Sequence, residues 1–184
     1  MRHAIIARKF LAAVSFGVLL GTPLLAQADV IALQLPGIPG DAKFAANNSL
    51  PVDSIRVLTV GNSVKISTDS LGGGSGVGKP IFSPLSIVKK FGESSGPLFL
   101  AVVRGVFLPT ATISFYRTKQ GLLTRYYTIT LQEVSVASQN WVGNSNAVDS
   151  ADSEELELRY GRITLLDNET GTRSCYDTRT SQTC

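Results

Sequence analysis

The sequence has a single histidine, His3, among its 184 residues. That residue lies in an N-terminal segment with the features of a removable signal peptide, so the processed chain has no histidine. Without histidine the chain can form no Ser-His-Asp or Cys-His catalytic group, no histidine-ligated zinc site and no pH switch near neutrality. The composition therefore points away from the commonest enzymes, which agrees with our expectation of a protein that is not an enzyme and has no catalytic residues, cofactor or metal.

An excess of charge of one sign is also missing from the expected mature chain. The full sequence has 17 Lys and Arg against 14 Asp and Glu, a formal net charge of +3. Arg2, Arg8 and Lys9 account for that excess and all lie in the N-terminal segment. The remaining charges balance and are scattered, unlike the basic surface that binds nucleic-acid phosphates. We expect no nucleic-acid partner.

Residues 1–28 have the three parts of a secretory signal peptide. A short basic stretch is followed by the apolar, uncharged stretch 10–25, and Ala26 and Ala28 then supply the small residues of a cleavage site. The apolar stretch is shorter than the ~20 residues of a membrane-spanning helix. We predict cleavage after Ala28, export to the periplasm or the extracellular space, and no membrane attachment afterwards. An uncleaved anchor and a plain N-terminal helix are the alternatives.

The only two cysteines, Cys175 and Cys184, lie in the C-terminal tail. In an exported protein an even pair indicates a disulfide. No further metal ligand lies nearby, which leaves a reactive thiol or a metal pair as the weaker alternative. We predict a disulfide, formed either within one chain or between two chains.

Short runs of Val, Ile, Thr, Tyr and Phe bounded by Gly, Pro, Asn and Ser predict a mainly β protein. Two of these runs change face along their length, between Leu131 and Val134 and between Tyr160 and Ile163. A side chain cannot change face in a regular strand, so each shift predicts a β-bulge. Because bulges bend sheets, the pattern favours a rolled or closed sheet.

One helix is predicted from Pro97 to about Val106, with Ser95 as its N-cap. Its apolar residues cover two faces, one with Leu98 and the other with Phe99. A short helix of this kind is expected to be buried against its own sheet or against a neighbouring subunit.

The segment Gly72–Lys79 has the glycine and lysine spacing of a phosphate-binding loop. Such a loop needs a Ser or Thr after its lysine to hold magnesium, and then a helix. Pro80 and a strand-like sequence follow instead. Five glycines among eight residues predict a flexible exposed loop rather than a nucleotide site.

Two other patterns resemble catalytic groups. Ser86 and Lys89 have the S-x-x-K spacing of penicillin-recognising enzymes, but a strand places them on opposite faces and the other required motifs are missing. The acidic run 152–157 could supply paired carboxylates. Its alternation with leucines favours a solvated strand face, or one that meets a neighbour's lysine.

A series of short motifs occurs in a fixed order along the mature chain. They are L-x-L-P-G-I-P-G at 33–40, D-x-I-x-V at 53–57, the glycine-rich loop ending in Gly78-Lys79, L-S-I-V-K at 85–89, S-x-P-L at 95–98, Y-x-I-x-L-x-x-V at 127–134 and E-x-L-x-L-x-Y at 154–160. In this order, across residues 31–166, the sequence resembles the Hcp family, the haemolysin co-regulated, tube-forming proteins of type VI secretion.

The resemblance implies an Hcp-like β-barrel of two sheets with one short α-helix. It also implies that six copies close into a ring, that rings stack into a hollow tube, and that the interior carries secreted effectors. The loop that the resemblance places at ring-to-ring stacking comprises Gly72, Gly73, Gly74, Gly76, Gly78 and Lys79.

The expected organisation is a signal peptide at 1–28, an Hcp-like barrel at 29–166 and a tail with the disulfide at 167–184. Tube proteins assemble in the cytoplasm, so the signal peptide and the cysteine-bearing tail depart from their usual pattern. Two functions are therefore left open. One is a non-enzymatic, self-assembling tube subunit, and the other is an exported Hcp-like binding or adhesion module outside any contractile tube.

Overall fold

The computed structural model of the chain describes residues 29–40, 50–66, 78–143 and 152–184. Within these ranges the chain forms eleven strands and one helix. The helix α1 spans Ser95–Arg104. The strands are β1 Val30–Gln34, β2 Ile55–Gly61, β3 Val64–Ile66, β4 Pro80–Phe82, β5 Leu85–Lys90, β6 Phe107–Lys119, β7 Leu122–Val142, β8 Ser153–Arg159, β9 Arg162–Asp167, β10 Arg173–Asp177 and β11 Gln182–Thr183.

Six of the strands close into a barrel. Around it they follow the order β7, β6, β1, β2, β5 and β8, and β8 pairs with β7 to complete the circuit. Neighbouring strands in the barrel are antiparallel. Closure pairs the edges that an open sheet would expose. The prediction of a mainly β barrel with one short α-helix is confirmed.

The long strand β7 connects the barrel to a smaller branch sheet. One edge of β7 pairs with β6. The other edge pairs with β9 along residues 127–132 and with β8 along residues 135–142. Since β9 continues into β10 and β11, the branch sheet leaves the barrel near the middle of β7.

The face change predicted within β7 is present. Leu131 and Val134 are both completely buried in the barrel core. The backbone turns between them at Glu133, whose φ of 54° lies in the left-handed region. Strand β6 keeps its register with β7 across this bend, so no residue is inserted and the prediction of a β-bulge at this position is wrong. The register shifts along β7 lie on either side of the bend, against β6 between Phe115 and Tyr116 and against β8 between Val136 and Ser138.

The second predicted face change is an interruption between two strands. Strand β8 ends at Arg159 and β9 begins at Arg162. On the two sides of this interruption, the pairs Ser135–Arg159 and Gln132–Arg162 share one register along β7, so there is no bulge here either. Between them the Gly161 N–H donates to the carbonyl oxygen of Gln132 in β7, at 3.0 Å. A Cβ at Gly161 would lie 2.5 Å from a carboxylate oxygen at the end of the Glu133 side chain, so a larger residue here would require that side chain to move.

The helix α1 begins earlier than the sequence predicts. Its N-cap is Ser94, which makes no side-chain capping bond, so the prediction of Ser95 as N-cap is wrong. The Ser95 hydroxyl instead accepts a hydrogen bond from the Gly92 N–H at 3.0 Å and donates one to Glu154 at 2.8 Å. The helix ends at Gly105, whose φ of 60° suits glycine at this C-terminal position.

The core fills the barrel and is almost entirely aliphatic. Its completely buried side chains come from both the barrel strands and α1. They are Ala111 and the larger Leu33, Ile55, Leu85, Ile87, Leu98, Ile113, Leu131, Val134, Leu156 and Leu158. Burial of one such side chain contributes about 1.5–3 kcal/mol. Among the described residues no helix is long and apolar enough to cross a membrane.

The C-terminal tail is part of the branch sheet. Strand β10 pairs with β9, β11 pairs with β10, and a disulfide joins Cys175 to Cys184 within the chain. An ionic network fixes the turn between β10 and β11. Asp177 accepts hydrogen bonds from Arg162 at 3.1 Å and from Arg179 at 3.2 Å, and Arg179 also lies 2.7 Å from Glu133.

This network predicts acid sensitivity of the branch sheet. The pKa of Asp177 lies well below its ordinary value of 3.8, chiefly because Arg179 and the Thr180 N–H stabilise the carboxylate. A depressed folded-state pKa adds stability above about pH 4 that is lost as the pH falls through the folded-state value. We expect Asp177→Asn to lower the urea midpoint at pH 7 and to converge with wild type in acid. A difference in urea midpoint between the two proteins that stays constant down to about pH 2 would contradict this account. The control variant is Asp53→Asn, in an exposed turn.

Candidate functional site

Two charged side chains point into the barrel wall between β5 and β8. Lys89 and Glu154 face each other in the strand register, both are completely buried, and Lys89 Nζ lies 2.5 Å from Glu154 Oε1. Lys89 also donates to the carbonyl oxygen of Lys90 at 2.7 Å. Because the pair is closed off from solvent, it is not accessible to a substrate. Its role is structural, since it joins β5 to β8.

The same pair attaches α1 to the barrel. Glu154 accepts hydrogen bonds from the Ser95 hydroxyl of α1 and from the Gln139 amide of β7. The Gln139 amide also donates to the Ser95 carbonyl oxygen at 3.2 Å. One carboxylate therefore joins α1, β5, β7 and β8.

The expectation that the acidic run lies on a solvated face is wrong for Glu154. Glu154 has the same parity as Leu156 and Leu158, which fill the core, so the strand turns it inward. Glu155, of the opposite parity, is exposed and accepts a hydrogen bond from the Ser86 hydroxyl at 2.7 Å. The alternation along β8 was the signal that identifies the buried member.

The described residues bring no catalytic group together. Ser86 and Lys89 lie on opposite faces of β5, as strand geometry predicts for positions three apart. Across these residues no three His, Cys, Asp or Glu side chains are close enough to hold a metal ion.

Four residues of the predicted stacking loop, Gly72, Gly73, Gly74 and Gly76, lie outside the described residues. The predicted cleavage residues Ala26 and Ala28 also lie outside them. Lys79 is exposed, Gly78 is half-buried, and β4 begins directly after them at Pro80. A strand thus follows the glycine-rich segment where a phosphate-binding loop would require a helix.

Strands β3 and β4, here called the arm, form a two-stranded sheet separate from the barrel sheet. Val64, Ile66 and Ile81 of the arm are 55%, 55% and 57% exposed. An isolated two-stranded hairpin is only marginally stable in water. Its apolar side chains therefore indicate a surface suited to contact with another molecule.

An apolar groove of about 520 Å³ lies between the arm and the branch sheet. Its main apolar lining is Val64, Phe82, Ile129, Leu165, Cys175 and Tyr176. The ring of Phe82 stacks on Tyr176 with 5.0 Å between centroids. This stack anchors the base of the arm to β10, so the tail and the arm share one surface.

A second apolar surface, here called the α1 face, consists of Phe99, Leu100, Val103 and Trp141. Phe99 and Val103 are one helical turn apart, and Phe99 packs against Trp141 with ring centroids 5.7 Å apart. The exposed fractions of the four side chains run from 43% to 64%. Only the opposite side of the helix, at Leu98 and Ala101, is buried in the chain.

The arm, the groove and the α1 face are all made of residues distant in sequence. The apolar residues on two faces of the helix are the one feature of the sequence that indicates the α1 face. No local pattern predicts the groove, because the groove forms where β7, the branch sheet and the arm meet.

Comparison with protein families identifies the barrel. The model of the family described as type VI secretion system effector, Hcp, matches residues 33–166. The chain belongs to the Hcp family. This match covers α1 and the barrel except for the first three residues of β1, and Hcp is a secreted structural component of type VI secretion, not known as an enzyme.

Solved Hcp structures share the fold. Hcp1 from Salmonella typhimurium has a TM-score of 0.70 at 21% identity, covering 85% of this chain and 99% of that chain. A mutant of Hcp1 from E. coli EAEC 042 has a TM-score of 0.65 at 24% identity, covering 82% and 98%. The secreted protein Hcp3 from Pseudomonas aeruginosa has a TM-score of 0.61 at 20% identity, covering 83% and 98%. Comparison with curated protein sequences gave no match.

Proposed function

We propose that this Hcp protein is a non-enzymatic structural subunit that assembles into hexameric rings. The observation that carries the proposal is the arm, whose Val64, Ile66 and Ile81 are more than half exposed on a sheet of two strands. A second copy of the chain would cover them. Family membership supports the ring, and the family resemblance assigns ring stacking to the loop Gly72–Lys79 between β3 and β4.

The proposal extends to export of the chain. Residues 1–28 would direct secretion, cleavage would follow Ala28, and the Cys175–Cys184 disulfide would form in an oxidising compartment. The ring would enclose a lumen able to carry secreted effectors. The same disulfide also favours the second candidate, an exported binding or adhesion module, because tubes that assemble in the cytoplasm form under reducing conditions.

Native mass spectrometry of the protein recovered from its own host tests this proposal. We expect hexamers of chains that begin at Asp29, together with stacked multiples of the hexamer. A variant lacking residues 72–78 should retain the hexamer and lose the multiples, because the deletion removes only the proposed stacking loop. An intact melting transition in the variant is the control for folding.

The outcomes separate the two candidates. A processed monomer would contradict ring assembly and support the exported binding module. A hexamer that still carries Met1 would contradict export and support a tube role in the cytoplasm. Unchanged stacking after the deletion would remove the loop from the proposed interface.

A further inference from the structure

The position of the arm depends on side-chain contacts at its base. Within the part of the chain that the structure describes, its two strands pair only with each other and not with the barrel sheet. The ring of Phe82 stacks on Tyr176 of β10 and meets Tyr160 edge-on, with 6.4 Å between the latter centroids. The Asn62 amide donates a hydrogen bond to the Tyr160 hydroxyl at 2.9 Å. The base of the arm therefore rests on two tyrosines.

Both tyrosines are held by the segment between the two cysteines, residues 176–183, here called the disulfide loop. Tyr176 is the first residue of this loop. Thr178 holds the backbone that carries Tyr160, because its hydroxyl donates to the Tyr160 carbonyl oxygen at 3.2 Å and its N–H donates to the Gly161 carbonyl oxygen at 2.9 Å. The two supports of the arm thus depend on the conformation of one covalently closed loop.

The disulfide loop in turn depends on the bond between Cys175 and Cys184. Strand β11 pairs with β10 through two residue pairs, which is little backbone pairing to hold a strand in place. A disulfide stabilises chiefly by restricting the conformations of the open chain. Cys184 is exposed and Cys175 is half-buried, so a small reductant can reach the bond in the folded protein.

We propose that the Cys175–Cys184 disulfide is a redox-sensitive clamp on the arm. Oxidation fixes the disulfide loop and holds the arm against it, and reduction releases both. The clamp acts within a single chain and does not depend on ring assembly. Because thiols stay reduced in the cytoplasm and disulfides persist in oxidising compartments, the arm of an exported chain is loosely held before export and fixed after it.

Release of the clamp by a dithiol takes two thiol–disulfide exchanges. A thiolate of the reductant attacks the exposed Cys184 sulfur, forms a mixed disulfide there and expels Cys175 as a thiolate. The Thr164 hydroxyl lies 3.4 Å from the Cys175 sulfur and is placed to donate to that thiolate. The second thiol of the reductant then displaces Cys184. Two electrons and two protons pass to the two cysteines, and the reductant becomes a disulfide.

Hydrogen exchange measured by mass spectrometry tests the clamp in the oxidised protein and after reduction with dithiothreitol. On reduction, we expect exchange at residues 62–66 and 81–83 to become about two- to tenfold faster, the effect of losing one aromatic contact. Labelling for seconds to minutes reports local opening rather than global unfolding, so β1 and β6 should show no change. A variant with both cysteines replaced by alanine should match the reduced protein and not respond to dithiothreitol. Native mass spectrometry reports the oligomeric state of the same samples separately.

Tyr176→Leu distinguishes the clamp from a general loosening of the branch sheet. It removes the stack on Phe82 and leaves the disulfide intact, so exchange in the arm of the oxidised variant should equal that of the reduced wild type. Tyr126→Leu is the matched control, because Tyr126 is also half-buried but contacts Phe115 and Arg117 instead. It should retain the wild-type response to reduction.

Exchange in the arm that does not change on reduction would overturn the clamp, whether or not exchange in the disulfide loop rises. An equal rise in the arm and in the barrel strands would also overturn it, since that result reports destabilisation of the whole chain. A response to reduction that persists in full in Tyr176→Leu would show that the stack does not transmit the redox state and would overturn the proposed route.

Discussion

Replacing Glu154 by glutamine is expected to destabilise the barrel by about 3–5 kcal/mol. The substitution keeps the shape of the side chain and removes its charge. Lys89, which is completely buried, would then have no carboxylate opposite it. Removing one partner of a buried ion pair leaves an uncompensated charge in a medium that solvates it poorly, which is the origin of the large effect.

The double replacement Lys89→Met with Glu154→Leu should behave differently. It removes both charges and restores an apolar wall between β5 and β8. Exchange of a whole buried pair for apolar side chains of similar volume is often neutral or stabilising. The Ser95 hydroxyl and the Gln139 amide would lose their shared acceptor, so we expect the double variant to fall between the single variant and wild type.

Thermal and urea unfolding measure both effects. For a chain of this length each kcal/mol shifts the melting temperature by about 2–4 °C. Ser86→Ala, which removes a bond to Glu155 on the outer face of the same strand pair, is the control and should change little. An effect of Glu154→Gln no larger than that of Ser86→Ala would refute the structural role of the buried pair.

The barrel strands could be predicted because each strand is recognised from the alternation of residues that are neighbours in the sequence. Alternation of apolar residues identified the strands, and the change of parity between Leu131 and Val134 located the bend in β7. The buried ion pair was also within reach of the sequence. Lys89 follows Leu85 and Ile87 at the inward parity, and Glu154 precedes Leu156 in the same way.

The helix start and the contact surfaces were less accessible to prediction. Ser95 has the chemistry of an N-cap, but a carboxylate from β8, far along the chain, takes its hydroxyl instead. The groove depends on the point in β7 at which its partner strand changes from β9 to β8 and the branch sheet diverges from the barrel. Gly161 lies close to Glu133 at this point. Such features depend on long-range packing that no local pattern specifies.

Loss of the disulfide is expected to lower the free energy of unfolding by about 2.5 kcal/mol, which the chain-entropy model gives for a loop of about ten residues. Strand β11 pairs with β10 through two residue pairs, Tyr176 with Thr183 and Asp177 with Gln182. Because this pairing is so short, we expect the position of β11 to depend on the disulfide at Cys184. Strand β10 pairs with β9, and β9 pairs with β7 of the barrel. The loss should therefore reach the global transition.

Urea unfolding of the oxidised protein and of a variant with both cysteines replaced by alanine measures this loss. A second variant with both replaced by serine shows whether a polar group beside the groove changes the result. Non-reducing electrophoresis of wild type should show monomers, because Cys175 and Cys184 pair within one chain. Equal stability of all three proteins would mean that β11 unfolds separately from the barrel. Disulfide-linked dimers would mean that the pair joins two copies, and the tail would then belong to the interface.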